Sequence, residues 1–371
     1  MKKIGLGLLL LSLSVPAFAA PHGGHTDAFV SMEKMVDSDG NQINCHGGGI
    51  LKDGDTYYWY GEHRPGVGDD RQLGVSCYSS RDLHSWTNQG IVMKVSDDPS
   101  SDISGGCTIE RPKVIFNSKT GKYVMWFHLE LPGQGYAAAR CAVAVADRPE
   151  GPFEFVRSGR VNPGVLPSNL DVSGRGSIKP IDDYEWWTPE WRDAVEKGLF
   201  TYRDCEGGQM SRDMTLFVDD DGKAYHVYSS EENLTIQIAE LTDDYLSHTG
   251  KYIRIFPGGH NEAPAIFKKD GTYWMITSGC TGWEPNQARL SHADSLMGEW
   301  SMAEACPCRG EGSEITYGGQ STFILPTDDG LIFMADQWRP KCLGDSRYIW
   351  LPIQFSEDGE PFLEYKSSWS F

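Results

Sequence analysis

Hydrophobic and polar positions along the chain repeat one short pattern five times. An apolar approach runs into a polar turn that holds a glycine, and an aromatic-rich stretch follows. The five copies are "ILKDGDTYYWYGE", "VIFNSKTGKYVMWFH", "LFVDDDGKAYHVYSS", "AIFKKDGTYWMITSG" and "FILPTDDGLIFMADQW", turning at Gly54, Gly121, Gly222, Gly271 and Gly330. Apolar–polar alternation with period two predicts strands. A glycine between two such runs predicts a hairpin, because the tight turn needs positive φ.

A second stretch follows each hairpin: "LGVSCYSSRDLHSWTNQG", "CAVAVADRPEGPFEFV", "IQIAELTDDYLSHTG", "ARLSHADSLMGEWSM" and "IWLPIQFSEDGEPFLEY". Each reads as a third strand, a polar turn and a short fourth strand. One such unit cannot bury both its faces alone, so the units must close on one another. The expected fold is all-β, a five-bladed β-propeller, forming a single domain over residues 20–371. Between the second and third units lies a longer segment, about residues 159–209, read as a Trp-rich, partly helical insertion. In "WWTPEWRDAVEKGLF", Thr188 is placed to cap a helix, Pro189 suits its first turn and Gly198 its end. Trp186, Trp187 and Trp191 are expected to shape a substrate pocket; the alternative is that they pin the segment to the propeller.

The first residues, "MKKIGLGLLLLSLSVPAFAA", have two lysines, an apolar run and the small-residue site Ala17-Phe18-Ala19. This pattern predicts a secretory signal peptide over residues 1–19 and a secreted or periplasmic protein, with no membrane anchor. Without Lys2 and Lys3 the chain holds 31 basic and 52 acidic residues. That balance disfavours nucleic acid as a partner. Aromatic residues make up 12% of the chain, with 12 Trp and 16 Tyr. They suit a β-rich core and also a sugar site, where flat rings with polar tips pack on sugar faces. Nine cysteines permit disulfides in an oxidising compartment, but Cys77 and Cys141 lie inside strand-like runs, where small buried hydrophobes are expected. No Cys/His spacing reads as a zinc site, no cofactor is required, and no ligand cluster argues for a structural calcium.

A propeller gathers the starts of its innermost strands around one axis. Polar residues just before those strands therefore converge. They are Glu110 in "IERPKVIFN", Asp213 in "SRDMTLFV", Glu262 in "NEAPAIFKKDG" and Gln320 in "GGQSTFILP", while the first unit has "HGGG" from His46. Three acids and an amide at one point of successive repeats are more than a chance of strand ends. Asp219, Asp220 and Asp221 sit in a turn and are read as surface residues. Converging carboxylates point to hydrolysis of a glycosidic bond, which needs a protonated acid and a way to activate water. Crowded carboxylates push each other's pKa values apart, so one stays protonated near neutral pH.

The strings "HGGGI", "YYWYGE", "ERPKVIFN", "SRDMTLFVDDDGKAY", "NEAPAIFKKDG", "TSGCTGWEPNQA" and "GGQSTF" resemble glycoside hydrolase family 43. Within it they are most similar to the exo-β-1,3-galactanase branch and its galactofuranosidase and arabinofuranosidase neighbours. The resemblance implies an exo-acting, inverting hydrolase that releases galactosyl units from arabinogalactan-type glycans. A β-D-galactofuranosidase or α-L-arabinofuranosidase is the alternative within enzymes; a non-catalytic glycan-binding propeller is the alternative of another class. The Trp-rich segment departs from the compact galactanase pattern and leaves the substrate open between pyranose and furanose.

By the same resemblance Glu262 matches the general acid and Asp213 the carboxylate that raises its pKa. The family's usual base, an Asp opening the first blade, is replaced here by "HGGG". The glycines are expected to leave room for sugar or water near the backbone. Gln320, supported by Glu110, matches the residues that handle the water, and which of the two activates it stays open. Candidate sugar-binding residues are His46, Glu62, Asn233, Thr281, Trp283 and Trp338.

Overall fold

The structure, a computed structural model, describes residues 28–64, 66, 73–303 and 305–371. The expected signal peptide lies outside the described residues. Five antiparallel meanders follow one another along the chain. The first three have four strands each: His46–Asp53 to Thr87–Lys94, Thr108–Asn117 to Glu154–Gly159, and Met214–Val218 to His248–Ile255. The fourth and fifth have three, from Glu262–Lys269 to Arg289–Ala293 and from Gln320–Pro326 to Arg347–Pro352. Each first hairpin turns at its expected glycine, and all five glycines have positive φ, from 56° at Gly54 to 156° at Gly330.

The first strand of each sheet packs on the first strand of the next, and the fifth returns onto the first. The sheets thus stand in a ring with their first strands innermost. One apolar cluster fills each junction between neighbouring sheets. The junction between the fifth and first sheets is the most aromatic. There the Trp59 ring lies 5.4 Å from Trp86, 5.0 Å from Trp350 and 4.7 Å from Tyr348. Burying one such ring is worth roughly 2–3 kcal/mol, so each junction holds its two sheets firmly.

Two expected strands are not where the pattern put them. The stretch around Trp300 forms no strand; it meets its sheet through Ser301, whose N–H donates to His292 O at 2.8 Å. In the last unit, Pro361–Glu364 pairs with Gln354–Phe355 and, in parallel, with Cys308–Arg309. Leu363 N donates to Pro307 O at 2.8 Å, so this outer strand is claimed by the preceding connection. The first and last described strands meet as well: Phe29–Val30 pairs with Ser368–Trp369, and the Phe29 ring stacks on Trp369 at 4.4 Å.

The connection between the second and third sheets carries the helix expected from "TPEW". It spans Pro189–Glu196, and Thr188 Oγ1 accepts from Trp191 N at 3.2 Å. Gly198, with φ of 97°, ends it and opens a second helix, Leu199–Asp204. All nine cysteines are free thiols, and Cys77 and Cys141 are buried in strands as expected.

Candidate active site

The inner strands do not run straight to the axis. Register slips between His46 and Gly49, Glu110 and Lys113, Glu262 and Ala265, and Ser321 and Phe323. The same bulge therefore recurs at the same point of four sheets. A bulge bends the strand and re-aims a side chain. Its extra residue takes positive φ: 60° at Gly47, 54° at Arg111 and 51° at Ala263. Glu110 and Glu262 immediately precede that residue and are turned into a common pocket.

The glycines of "HGGG" have a different use from the expected one. A Cβ on Gly47 would stand 2.1 Å from Glu62 Oε1, one on Gly48 1.7 Å from the Tyr60 carbonyl oxygen, and one on Gly49 2.8 Å from Lys113 Cδ. What comes close is the protein itself. The space over Gly47 is filled by the carboxylate of Glu62, which faces His46 across the ladder. No room is left there for a sugar.

The pocket has a volume of about 260 Å³. Of the expected residues, Glu62, Glu110, Asp213, Asn233, Glu262, Trp283, Gln320 and Trp338 line it. His46 does not. It is fully buried, with Nδ1 3.5 Å from Asp336 Oδ1 and its ring stacked on Tyr348 at 5.1 Å. Thr281 does not line it either; its hydroxyl is spent on the Glu284 carbonyl at 2.5 Å, closing a turn in an exposed loop. Trp186, Trp187 and Trp191 are also absent from this wall, and Trp191 is fully buried against Phe200 and the second helix.

One guanidinium organises the pocket floor. Arg111 Nε and Nη2 donate to Asp213 Oδ1 and Oδ2 at 3.0 and 2.8 Å, and Nη2 also donates to Gln320 Oε1 at 2.6 Å. Trp338 Nε1 donates to the same Gln320 oxygen at 2.9 Å, and Gln320 Nε2 donates to Ser278 Oγ at 3.1 Å. Asp213 Oδ2 accepts from Ala263 N at 3.1 Å, which fixes the backbone beside Glu262. Asn233 Nδ2 donates to Glu262 Oε1 at 2.6 Å.

Glu110 is held from three sides. Arg64 Nη2 and Tyr136 Oη donate to its Oε1, each at 2.8 Å, and His128 Nδ1 lies 3.1 Å from its Oε2. His128 Nε2 lies 2.9 Å from Glu130 Oε1, and Arg64 also pairs with Glu62. Burial works against the charged imidazolium, yet hydrogen bonds to Glu110 and Glu130 bring the His128 pKa up to about 9. Burial likewise works against the Glu110 carboxylate, but His128 and Arg64 hold it well below the usual range.

Glu262 is the opposite case. Burial first, then the neighbouring Asp213 charge, push its pKa up to about 7 against the pull of Arg111. Burial also lifts Glu62 to about 7, with Arg64 opposing. The pocket thus holds two carboxyl groups, Glu262 and Glu62, that are partly protonated near neutrality beside the Glu110 carboxylate, which is not; a protonated acid beside a charged carboxylate is what glycoside hydrolysis needs.

Residues 188–361 match the family model of glycosyl hydrolases family 43. The structure also superposes on a GH43 β-1,3-galactosidase solved with galactodeoxynojirimycin. That match has 62% identity and a TM-score of 0.90 over 92% of this chain and 100% of the other. The chain belongs to glycosyl hydrolase family 43. The family 43 enzyme is therefore a β-propeller and an inverting glycoside hydrolase. It is similar to an exo-β-1,3-galactanase from Clostridium thermocellum, at 35% identity and a TM-score of 0.74 over 92% of this chain and 66% of that one. It is similar also to one from Phanerochaete chrysosporium solved with β-1,3-galactotriose, at 33% identity and a TM-score of 0.72 over 93% and 68%. A curated β-D-galactofuranosidase from Aspergillus niger is 23% identical over 261 residues, 69% of this chain; the match spans 63% of that relative.

Six residues that line the hydrolase's pocket were not among those expected: Arg64, Arg111, His128, Tyr136, Arg212 and Gly282. Arg111 and Arg212 had a signal, since they adjoin Glu110 and Asp213 at the repeat position already in view. The others come from a second strand and from loops, where no repeat marks them. Away from the pocket, Cys141, His226 and His248 bring one ligand atom each within 4.8 Å of one another. Three strands of two sheets supply them, so no sequence spacing announces the group. His226 Nδ1 and His248 Nε2 pair at 3.1 Å, and the Cys141 thiol donates to Gly159 O at 3.3 Å.

Proposed function

We propose that this family 43 enzyme is an exo-acting β-1,3-galactanase that releases galactosyl units from arabinogalactan-type glycans. In this reading it is a secreted protein: residues 1–19 are a signal peptide, and residues 20–371 form one catalytic domain of five blades, with residues 159–209 as an insertion. The observation that carries the reading is Glu262, a carboxyl group with a pKa of about 7, at a pocket with room for about one sugar ring. The identity of 62% to a β-1,3-galactosidase over its whole length supports the same substrate class.

Glu262 protonates the leaving oxygen as the bond from the anomeric carbon breaks, and Asp213 keeps that proton in place beforehand. Water attacks the opposite face, so a β-linkage yields α-galactose first. Gln320 touches the water and Glu110 binds the sugar beside it. The three donors around Glu110 make it a poor proton acceptor. The carbonyl oxygen of Gln320 already accepts from Arg111 and Trp338, so its amide orients the water more than it takes a proton. Of the remaining pocket carboxylates, Glu62 is a better acceptor than Glu110, and in this scheme it takes the proton that the attacking water gives up. The chemistry runs on side chains, without a cofactor.

Proton NMR of β-1,3-galactobiose cleavage tests the scheme. α-Galactose should appear before mutarotation, and Glu262→Gln should nearly abolish turnover; β-galactose as the first product would overturn the reading. A second reading, a β-D-galactofuranosidase, is favoured by the Aspergillus niger relative. It predicts turnover of an aryl galactofuranoside and none of the galactobiose. A glycan-binding propeller predicts binding with turnover of neither.

A further inference from the structure

Trp186 and Trp187 are 43% and 51% exposed, while Trp191 beneath them is fully buried. Trp186 stacks on Trp191 at 5.3 Å, and Trp187 lies 4.8 Å from it, so both outer rings rest on a fixed base. The capped helix Pro189–Glu196 and the Phe200 ring, 5.6 Å from Trp186, hold that base. Trp187 also has φ of 74°, a left-handed backbone that is costly for a bulky residue. An exposed ring recovers little of that cost through burial. Two adjacent exposed tryptophans on a rigid, strained support are an apolar surface held ready for a partner.

The position of the pair says which partner. The Trp187 ring lies 4.9 Å from His260, two residues before Glu262. His260 lines a groove of about 570 Å³ that also includes Cys280 and Thr281. The Cys280 thiol donates to the Asn233 carbonyl at 3.7 Å, and the Asn233 amide donates to Glu262. One lining residue of the groove, Cys280, thus stands one hydrogen-bonded residue from the candidate acid, and another, His260, lies against Trp187. A general acid stands on the leaving-group side of the scissile bond. What leaves along the groove is the rest of the glycan chain.

We propose that Trp186 and Trp187 form a stacking platform for distal galactosyl residues of the polymeric substrate, beyond the scissile bond. The inference rests on the galactanase reading and adds to it a second contact with the chain, outside the pocket. Flat indole faces suit the apolar face of a pyranose ring and need no charge from it. The groove and Thr281 within it belong to this outer region, which explains why Thr281 is not in the pocket wall. An exo-enzyme gains from such a platform by holding the polymer near the pocket between cuts.

The test compares chain lengths. Wild type and the Trp186→Ala/Trp187→Ala double variant are assayed on β-1,3-galactobiose and on polymeric β-1,3-galactan. The double variant should lose about fivefold or more in kcat/KM on the polymer, through KM, with galactobiose unchanged. Trp187→Phe should restore part of the loss. An equal fall on both substrates, or no fall on the polymer, overturns the platform. If wild type cleaves neither, the galactanase reading fails by itself. Migration in a gel containing galactan then decides the platform: it stands if wild type is retarded and the double variant is not, and falls if the two migrate alike.

Discussion

Asp213→Asn isolates the electrostatic part of the acid's tuning. The two side chains have nearly the same shape, and an Asn oxygen can still accept from Ala263 N, so the backbone beside Glu262 should stay in place. The charge is removed, and with it one of the two hydrogen bonds from Arg111. Glu262 stands at about 7 against an ordinary 4.5, with burial as the first cause and Asp213 as the second. Burial persists in the variant, while Arg111 loses its bidentate partner and pulls harder on Glu262. The Glu262 pKa should therefore fall from about 7 toward the ordinary carboxyl range. At pH 7, a fall of only one pKa unit would cut the protonated fraction from about one half to about one tenth, and kcat/KM by about fivefold. At pH 5 most of the acid is protonated in both forms, and the loss should be small. The assay is kcat/KM on β-1,3-galactobiose between pH 4 and 9, beside an aryl galactoside whose activated leaving group needs little protonation. The basic limb should move to lower pH on galactobiose, and the aryl substrate should be much less affected. A uniform fall at every pH with an unmoved limb would refute the argument and make Asp213 a positioning group alone.

Three other outcomes follow from the geometry. Gly47→Ala places a methyl group 2.1 Å from Glu62 Oε1 at a φ of 60°, so it should destabilise the fold by ~1–3 kcal/mol and displace Glu62; an unchanged melting temperature with full activity would contradict this. His128, raised from 6.5 to about 9, should stabilise the fold fully below pH 6.5 and lose that contribution as pH rises through 9. Urea denaturation of wild type should therefore show a decline over that window, and the same decline in His128→Gln would exclude His128 as its source. Gln320→Ala should reduce kcat more than Glu110→Gln does, and Glu110→Gln should mainly raise KM; the reverse ranking would make Glu110 the group that activates water.

The sheets were legible because their signals are local. A turn glycine at positive φ and an alternating aromatic strand need nothing beyond a dozen residues, and all five hairpins formed as read. The outer strands of the last two units were less legible, since what pairs with Pro361–Glu364 is a connection more than fifty residues away in the chain. The repeat position also brought Glu110, Asp213, Glu262 and Gln320 into one pocket. The bulges that aim two of them were hidden, because register depends on the partner strand. His46 was misread for a related reason. It occupies the repeat position, but Gly47 after it lets Glu62 reach over, and Asp336 draws the imidazole inward. Arg111 shows that a search for acids passes over the cation that must accompany them in a buried site.

The pairing of Phe29–Val30 with Ser368–Trp369 imposes an order of events on the making of the protein. Trp369, which also donates its indole N–H to Trp350 O at 2.7 Å, is synthesised some 340 residues after Phe29, whose ring it covers. Until it emerges, the aromatic cluster between the fifth and first sheets lacks one of its rings. Individual hairpins can form during synthesis, but this clasp must wait until the fifth sheet and Trp369 have been made. The clasp also makes Phe29 and Trp369 neighbours in space. A circular permutant that joins these two segments through a short linker and opens at the turn of Gly222 would carry the clasp inside one continuous stretch of chain, and its two strands would be made together.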